Sequence, residues 1–159
     1  MHLHLTGQHV AVIGSSNGIG RAIAEGFLAE GCHVRGFDRA LPGTAVAFET
    51  TLGDVTSFEE LKAFAATFPA ISHVVFTVGV GSGKFGFPFW NLAPSDWARV
   101  LDINLIGAVN VAHAFAPGLI ARGAGSYLVL TSVAGQMGSQ TDPPYSAAKA
   151  GLINFMQCA

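Results

Sequence analysis

Tyr145 and Lys149, in "PPYSAAKAG", stand four residues apart, the spacing that puts two side chains on one face of a helix. An unperturbed phenol has a pKa of about 10. A cation held beside a phenol stabilises the phenolate, so the pair can give and take a proton near neutral pH. Ser132, thirteen residues earlier in "LTSVAG", offers a hydroxyl that can hold an oxygen within reach of that proton. Asn104, in "DINLIG", sits inside an apolar helical pattern, where asparagine is a mediocre choice. Each residue alone has a structural alternative: a helix start, a solvated charge, a turn residue, a cap or kink. Their order and placement together point to acid/base chemistry on an oxygen.

A second constellation lies near the N-terminus. "VIGSSNGIGRAIA" places Gly14, Gly18 and Gly20 between a continuous apolar run and an amphipathic pattern. Glycines there permit a tight turn and let a diphosphate approach backbone N–H groups at a helix start. Asp38 follows Gly20 by 18 residues, at the end of the next apolar run. A carboxylate in that place can accept from both hydroxyls of an adenosine ribose and repels a 2′-phosphate, which points to NAD. Adjacent Arg39 keeps NADP as the alternative.

Two other patterns are weaker. "GSGKFG", Gly81 to Gly86, also has glycines at suitable intervals, but "FPFWN" follows it instead of a helix. Phe85 stands where a triphosphate loop needs Ser or Thr for magnesium. His2, His4, His9, His33, His73 and His113 lie on separate segments with no cysteine or carboxylate cluster, so no metal site is expected.

These residues need elements to hold them. "HVAVIG" is a buried parallel strand by its unbroken apolar character. Ile19, Ile23 and Phe27 mark a helix, with Gly31 as its stop. "CHVRGFD", "VAFETTL", "HVVFTV" and "YLVLTS" read as further strands. Helices are expected over Ser57–Phe68, over Ser95–Arg122 and from about Tyr145 onward. Strands alternating with helices require right-handed crossovers and a parallel sheet. The fold expected is therefore α/β, a doubly wound Rossmann-type sheet, with residues 1–159 forming one dinucleotide-binding and catalytic domain. The glycine-, proline- and aromatic-rich stretch Gly79–Pro94 reads as a site loop.

The totals narrow the field. Hydrophobic residues make up 50% of the 159-residue chain and charged residues only 11%, against roughly 25% in an ordinary soluble domain. So little charge implies surfaces not meant to face water, as in an oligomer or a protein with a part missing. A net charge of -2 with no basic patch argues against nucleic acid. "LIGAVNVAHAFAPGLIA" is interrupted by Asn110, His113 and Pro117 and reads as a buried or interface helix, so no membrane span is expected. Two cysteines and no signal peptide fit a cytoplasmic protein.

The chain resembles the short-chain dehydrogenase/reductase family from its first strand to its last residue. The resemblance rests on "GSSNGIG", Asp38, "GDV" at Gly53–Val55, "INLIG", "TSVAG" and "YSAAK". It implies hydride transfer between NAD(H) and a small-molecule alcohol or ketone, with Tyr145 as acid/base, Lys149 as its modulator and ribose contact, Ser132 as orienter and Asn104 as support for a water-linked relay to Lys149. It also implies cofactor contacts at Gly14, Ser16, Asn17, Gly18, Ile19, Gly20, Asp38, Asp54, Val55, Gly79, Tyr145 and Lys149, with Asp54 and Val55 flanking the adenine. Phe85, Phe87, Phe89, Trp90, Gln136 and Met137 lie where family members approach substrate, though the aromatics read equally as a packed loop. The two long helices are expected to build a homodimer or homotetramer.

Three departures bear on these expectations. Ile13 replaces a threonine that braces the glycine turn, and "FTVG", Phe76–Gly79, replaces amides that tie neighbouring strands. The strands read are five of the family's usual seven, so the chain resembles the first two-thirds of such an enzyme and "YLVLTS" should be an uncovered edge. A cofactor-holding fragment without turnover is the competing expectation, and a purely structural protein fits the intact Ser132, Tyr145 and Lys149 poorly.

Overall fold

The computed structural model describes residues 3–68 and 70–159 of the chain. Its strands are β1 (His9–Ile13), β2 (His33–Asp38), β3 (Glu49–Leu52), β4 (His73–Phe76) and β5 (Ser126–Val129). They form one sheet in the order β3-β2-β1-β4-β5. The pairs β1–β2, β1–β4 and β2–β3 are parallel, with His9 opposite His33, Val10 opposite His73 and Arg35 opposite Glu49. The order reverses at β1, leaving a crevice between β1 and β4 where ligands of doubly wound sheets gather. β5 is an outer strand, with Leu128 half-exposed, as expected of "YLVLTS".

The chain folds as two compact units. The first runs through Thr77 and resumes over Asn110–Leu128. Its central strand is buried on both faces: Val10, Ala11, Val12 and Ile13 expose nothing. Alternation sends Val10, Val12, Val34 and Val75 to one face. There they pack with Ala24, Ile23 and Phe27 of α1 (Gly18–Ala29). On the other face Phe37 meets Phe64 of α2 (Phe58–Ala65), with ring centroids 5.2 Å apart. Phe64 and Phe68 both meet Phe115 of α4 (Gly107–Arg122) edge-on. Each fully buried phenylalanine contributes on the order of 2–3 kcal/mol.

Local signals explain the element ends. Gly31, at φ +80°, takes the left-handed position after α1, and Cys32 N–H bonds the Phe27 carbonyl. Ser57 caps α2 by accepting from Glu60 N–H, while Glu60 reaches back to accept from Asp54 N–H. α2 ends at Ala65, three residues short of the stretch read from its apolar stripe. β3 begins at Glu49 rather than Val46: residues 39–48 form no regular element, and Phe48 is buried in the core before pairing with β2 starts.

The second unit comprises Val78–Val109 and Val129–Ala159. It holds α3 (Pro94–Leu101), a wide π turn over Asp102–Ile106, the first turn of α4, and α5 (Pro143–Cys158). The long helix read from the sequence is thus continuous in path but widened around Asn104, where Gly107 N–H bonds the carbonyl of Asp102, five residues back. Taken whole, Pro94–Arg122 is long and apolar enough to cross a membrane, a test that core helices also pass. Its Val100, Ala108, Val111 and Phe115 are buried within the protein.

Candidate active site

In the first unit the glycine turn joins β1 to α1. Gly14 and Gly18 both adopt positive φ, +92° and +52°, which other residues enter only with strain. Gly20 serves a different need. A Cβ there would lie 2.0 Å from the Gly14 carbonyl oxygen and 2.4 Å from Thr77 Oγ1, so only glycine lets the helix start sit against the turn. Asn17, the residue before α1, makes no side-chain cap, and no acidic residue occupies the first helical turn. Ile19 is 60% exposed beside it. The N–H groups of that turn are thus open to an anion, the arrangement that fits a diphosphate.

Asp38 closes β2 next to this turn. Its Oδ2 accepts from Ser16 N–H at 2.9 Å, while Oδ1 has only a long contact, 3.4 Å, from Ala40 N–H. Ser16 Oγ donates to the Ala40 carbonyl, tying the two loops together. One carboxylate oxygen therefore braces the turn and the other retains acceptor capacity for a ribose hydroxyl. Asp54 and Val55 follow β3. Asp54 Oδ1 accepts from both the backbone and the hydroxyl of Thr56, bonds that hold its carboxyl below the usual range. Val55 is buried, its carbonyl accepting from Asn110 Nδ2 at 3.0 Å.

At "FTVG", where the family's amides are replaced, a threonine hydroxyl ties the strands. Thr77 Oγ1 donates to the Ile13 carbonyl at 2.8 Å and lies 3.1 Å from that of Gly14. The hydroxyl missing at Ile13 is supplied from the neighbouring strand, and the same atom braces the turn. Sequence reading missed Thr77 because it matched the stretch position by position, whereas a hydroxyl across the crevice does the same physical work.

In the second unit Lys149 is buried, 2% exposed, on the inner face of α5. Its Nζ donates to the Leu130 carbonyl at 2.9 Å and lies 5.7 Å from the centre of the Tyr145 ring. Burial lowers its pKa to about 8. Gly79 stands over both partners: a Cβ there would be 3.6 Å from Lys149 Nζ and 3.6 Å from Asn104 Oδ1. Asn104 is wholly buried, and both hydrogens of its carboxamide are used. Oδ1 accepts from Val80 N–H, and Nδ2 donates to the carbonyls of Val80 and Val100. The side chain thereby fixes the Gly79–Val80 backbone.

Ser132 opens the short 3-10 turn Val133–Gly135. Its Oγ accepts from Ala134 N–H at 3.2 Å, which leaves its own proton for an oxygen outside the turn. Gly135 permits close packing, since a Cβ there would lie 2.7 Å from the Lys149 carbonyl carbon. Ser132, Tyr145, Lys149, Asn104 and Gly79 thus share one unit, though no direct hydrogen bond joins the side chains of Ser132, Tyr145 and Lys149 among the described residues.

α5 begins at Pro143, two residues before the start read from Tyr145, with Asp142 as its cap. The signal was legible: Asp followed by proline at the first helical position is a helix start. Phe85, Phe87, Phe89 and Trp90 are 64%, 52%, 65% and 72% exposed, so the loop is not packed away. Among the described residues no cluster of three His, Cys, Asp or Glu could hold a metal. His2 lies outside the described residues. His9 stacks on His33 instead, with ring centroids 4.9 Å apart.

Comparison with known proteins identifies the family and the fold. The family model for short chain dehydrogenase matches residues 8–159, and the chain belongs to that family of oxidoreductases. It is 32% identical over 161 residues to an acetoacetyl-CoA reductase of Synechocystis sp., covering 99% of this chain and 66% of that protein. The ligand-free structure of Thermoplasma acidophilum aldohexose dehydrogenase superposes with a TM-score of 0.89 at 27% identity, over 97% of this chain and 60% of that one. A metagenomic short-chain oxidoreductase in complex with NADP gives a TM-score of 0.85 at 29% identity, over 97% and 75%. The chain therefore spans about two thirds of the length of the curated relatives it matches.

Proposed function

We propose that the chain carries the nucleotide-binding and acid/base groups of an enzyme that moves a hydride between NAD(H) and an alcohol or ketone. The observation that carries this reading is the buried Lys149 ammonium beside the Tyr145 ring, fixed by Leu130. In the first unit the uncapped start of α1, with Gly14, Ser16, Asn17, Gly18, Ile19 and Gly20, would hold the diphosphate. Asp38 Oδ1 would take the ribose hydroxyls, which favours NAD over NADP, and Asp54 and Val55 would flank the adenine.

The second unit would supply the proton chemistry, and Gly79 and Lys149 would also contact the nicotinamide half. A nicotinamide held there would supply or accept the hydride. Ser132 donates its hydroxyl hydrogen to the substrate oxygen and holds it in register. Tyr145 gives its phenolic proton to that oxygen as negative charge develops there, and the phenolate left behind is stabilised by Lys149. Lys149 uses one of its three hydrogens on Leu130, leaving two for a ribose hydroxyl and for a relay. Asn104 acts by fixing Gly79 and Val80.

The substrate is a small molecule admitted beside the exposed Phe85–Trp90 segment, and the enzyme works as a cytoplasmic homodimer or homotetramer. Because the chain spans about two thirds of its curated relatives, a cofactor-holding module without turnover is the second reading. Oxidation of NADH by a panel of ketones decides between them. The enzyme reading expects turnover that Tyr145→Phe lowers at least a hundredfold with NADH affinity kept. Turnover unchanged by Tyr145→Phe would overturn it.

A further inference from the structure

We propose that Asp142 is a positioning residue for this site, a latch that ties the aromatic loop to the first turn of the Tyr145 helix. The inference rests on the function proposed above, since it assigns the latch a part in holding substrate. Asp142 divides its two carboxylate oxygens between two elements. Oδ1 accepts from Tyr145 N–H at 3.5 Å, capping α5, and Oδ2 accepts from Ser82 N–H at 2.8 Å in the loop after β4.

Two glycines make room for the contact, and neither is needed for a positive φ. A Cβ on Gly81 would lie 2.6 Å from Asp142 Oδ2, and one on Gly86 would lie 2.7 Å from Pro143 Cδ. Gly86 N–H also bonds the Thr141 carbonyl at 2.8 Å, so the loop is held at both ends of the turn that precedes Phe87, Phe89 and Trp90. On its other side the loop is anchored to α3, where Arg99 donates to the Gly81 carbonyl and Lys84 pairs with Asp96. The exposed aromatics therefore hang from a frame one corner of which is the cap of the proton donor's own helix. Motion of that loop away from Tyr145 requires breaking the Asp142–Ser82 bond.

The two roles of Asp142 separate in Asp142→Ser. Serine is a good helix cap, but its single short hydroxyl does not serve a second donor across the loop. Amide hydrogen exchange on the 159-residue chain is expected to show Tyr145 and the rest of α5 protected to within about twofold. Ser82 should exchange at least tenfold faster, and Asp142→Asn, with one acceptor oxygen in place of two, should fall between. With NADH and a ketone that the wild type reduces, Asp142→Ser should raise KM about fivefold or more and leave kcat within about twofold. Unchanged Ser82 exchange overturns the latch. Quickened Ser82 exchange with unchanged KM overturns its positioning role. Should the wild type reduce no ketone while binding NADH, the enzyme reading and the positioning role fail together, and Ser82 exchange still decides whether the latch exists.

Discussion

Replacing Lys149 by methionine should change how stability depends on pH, by an amount the burial of its ammonium sets. In the folded protein the group sits at about 8, against 10.5 in an ordinary lysine. Burial is the cause, so the folded state disfavours the proton. Between those two values the unfolded chain binds more protons than the folded one, and stability rises with pH. At 1.36 kcal/mol per pH unit the full effect is about 3 kcal/mol, of which about 1 is recovered from pH 7 to 9 and about 2.5 by pH 10. Methionine keeps the apolar stem and removes the titration, while leaving the Leu130 carbonyl without its donor at every pH. The assay is urea unfolding of both proteins from pH 7 to 9.5, taking the difference between them. Tyr127, whose phenol is also pushed up by burial, acts only above pH 10 and is common to both. The wild type should gain on the variant steadily across that range. A flat difference would refute the reasoning, because the ammonium would then not be buried in the folded chain.

Three further outcomes follow from close contacts. Gly20→Ala puts a Cβ against the Gly14 carbonyl, a backbone group that cannot turn aside, and should cost about 2–3 kcal/mol in urea unfolding together with NADH affinity. Thr77→Val keeps the shape and removes the bonds to Ile13 and Gly14, so it should cost about 1 kcal/mol and weaken NADH binding, both readable in one titration series. Gly135→Ala drives a Cβ into the Lys149 backbone and should lower ketone reduction more than NADH affinity, measured by steady-state kinetics beside direct binding.

The sheet was legible because its strands are buried on both faces. Val10 to Ile13 and Val74 to Phe76 are unbroken apolar runs, which periodicity identifies without reference to partners. Where a boundary depended on pairing, it was not legible: Val46 to Phe48 has strand composition, yet the strand begins only where Glu49 finds Arg35. Acid/base candidates could be read from type and spacing, since Tyr145 and Lys149 share a helical turn. Their supports could not. Thr77 reaches its partners across 63 and 64 residues and Asp142 reaches Ser82 across 60, separations at which a sequence carries no local signal. Asn104 was visible as an oddity, a polar residue in an apolar helix, but the wide turn it accompanies and its bonds to Val80 across 24 residues carry no local signal.

The measurement that bears most directly on the central claim is a titration of the purified chain with NADH, followed by energy transfer from Trp90 and Trp97 to the nicotinamide. The proposed cofactor role of Asp38 predicts saturable binding, at least tenfold tighter than for NADPH, because a carboxylate accepts from ribose hydroxyls and repels a 2′-phosphate. Asp38→Ala should narrow that preference while leaving the chain folded. Absence of saturable binding to a chain shown to be folded, or a preference for NADPH, would contradict it.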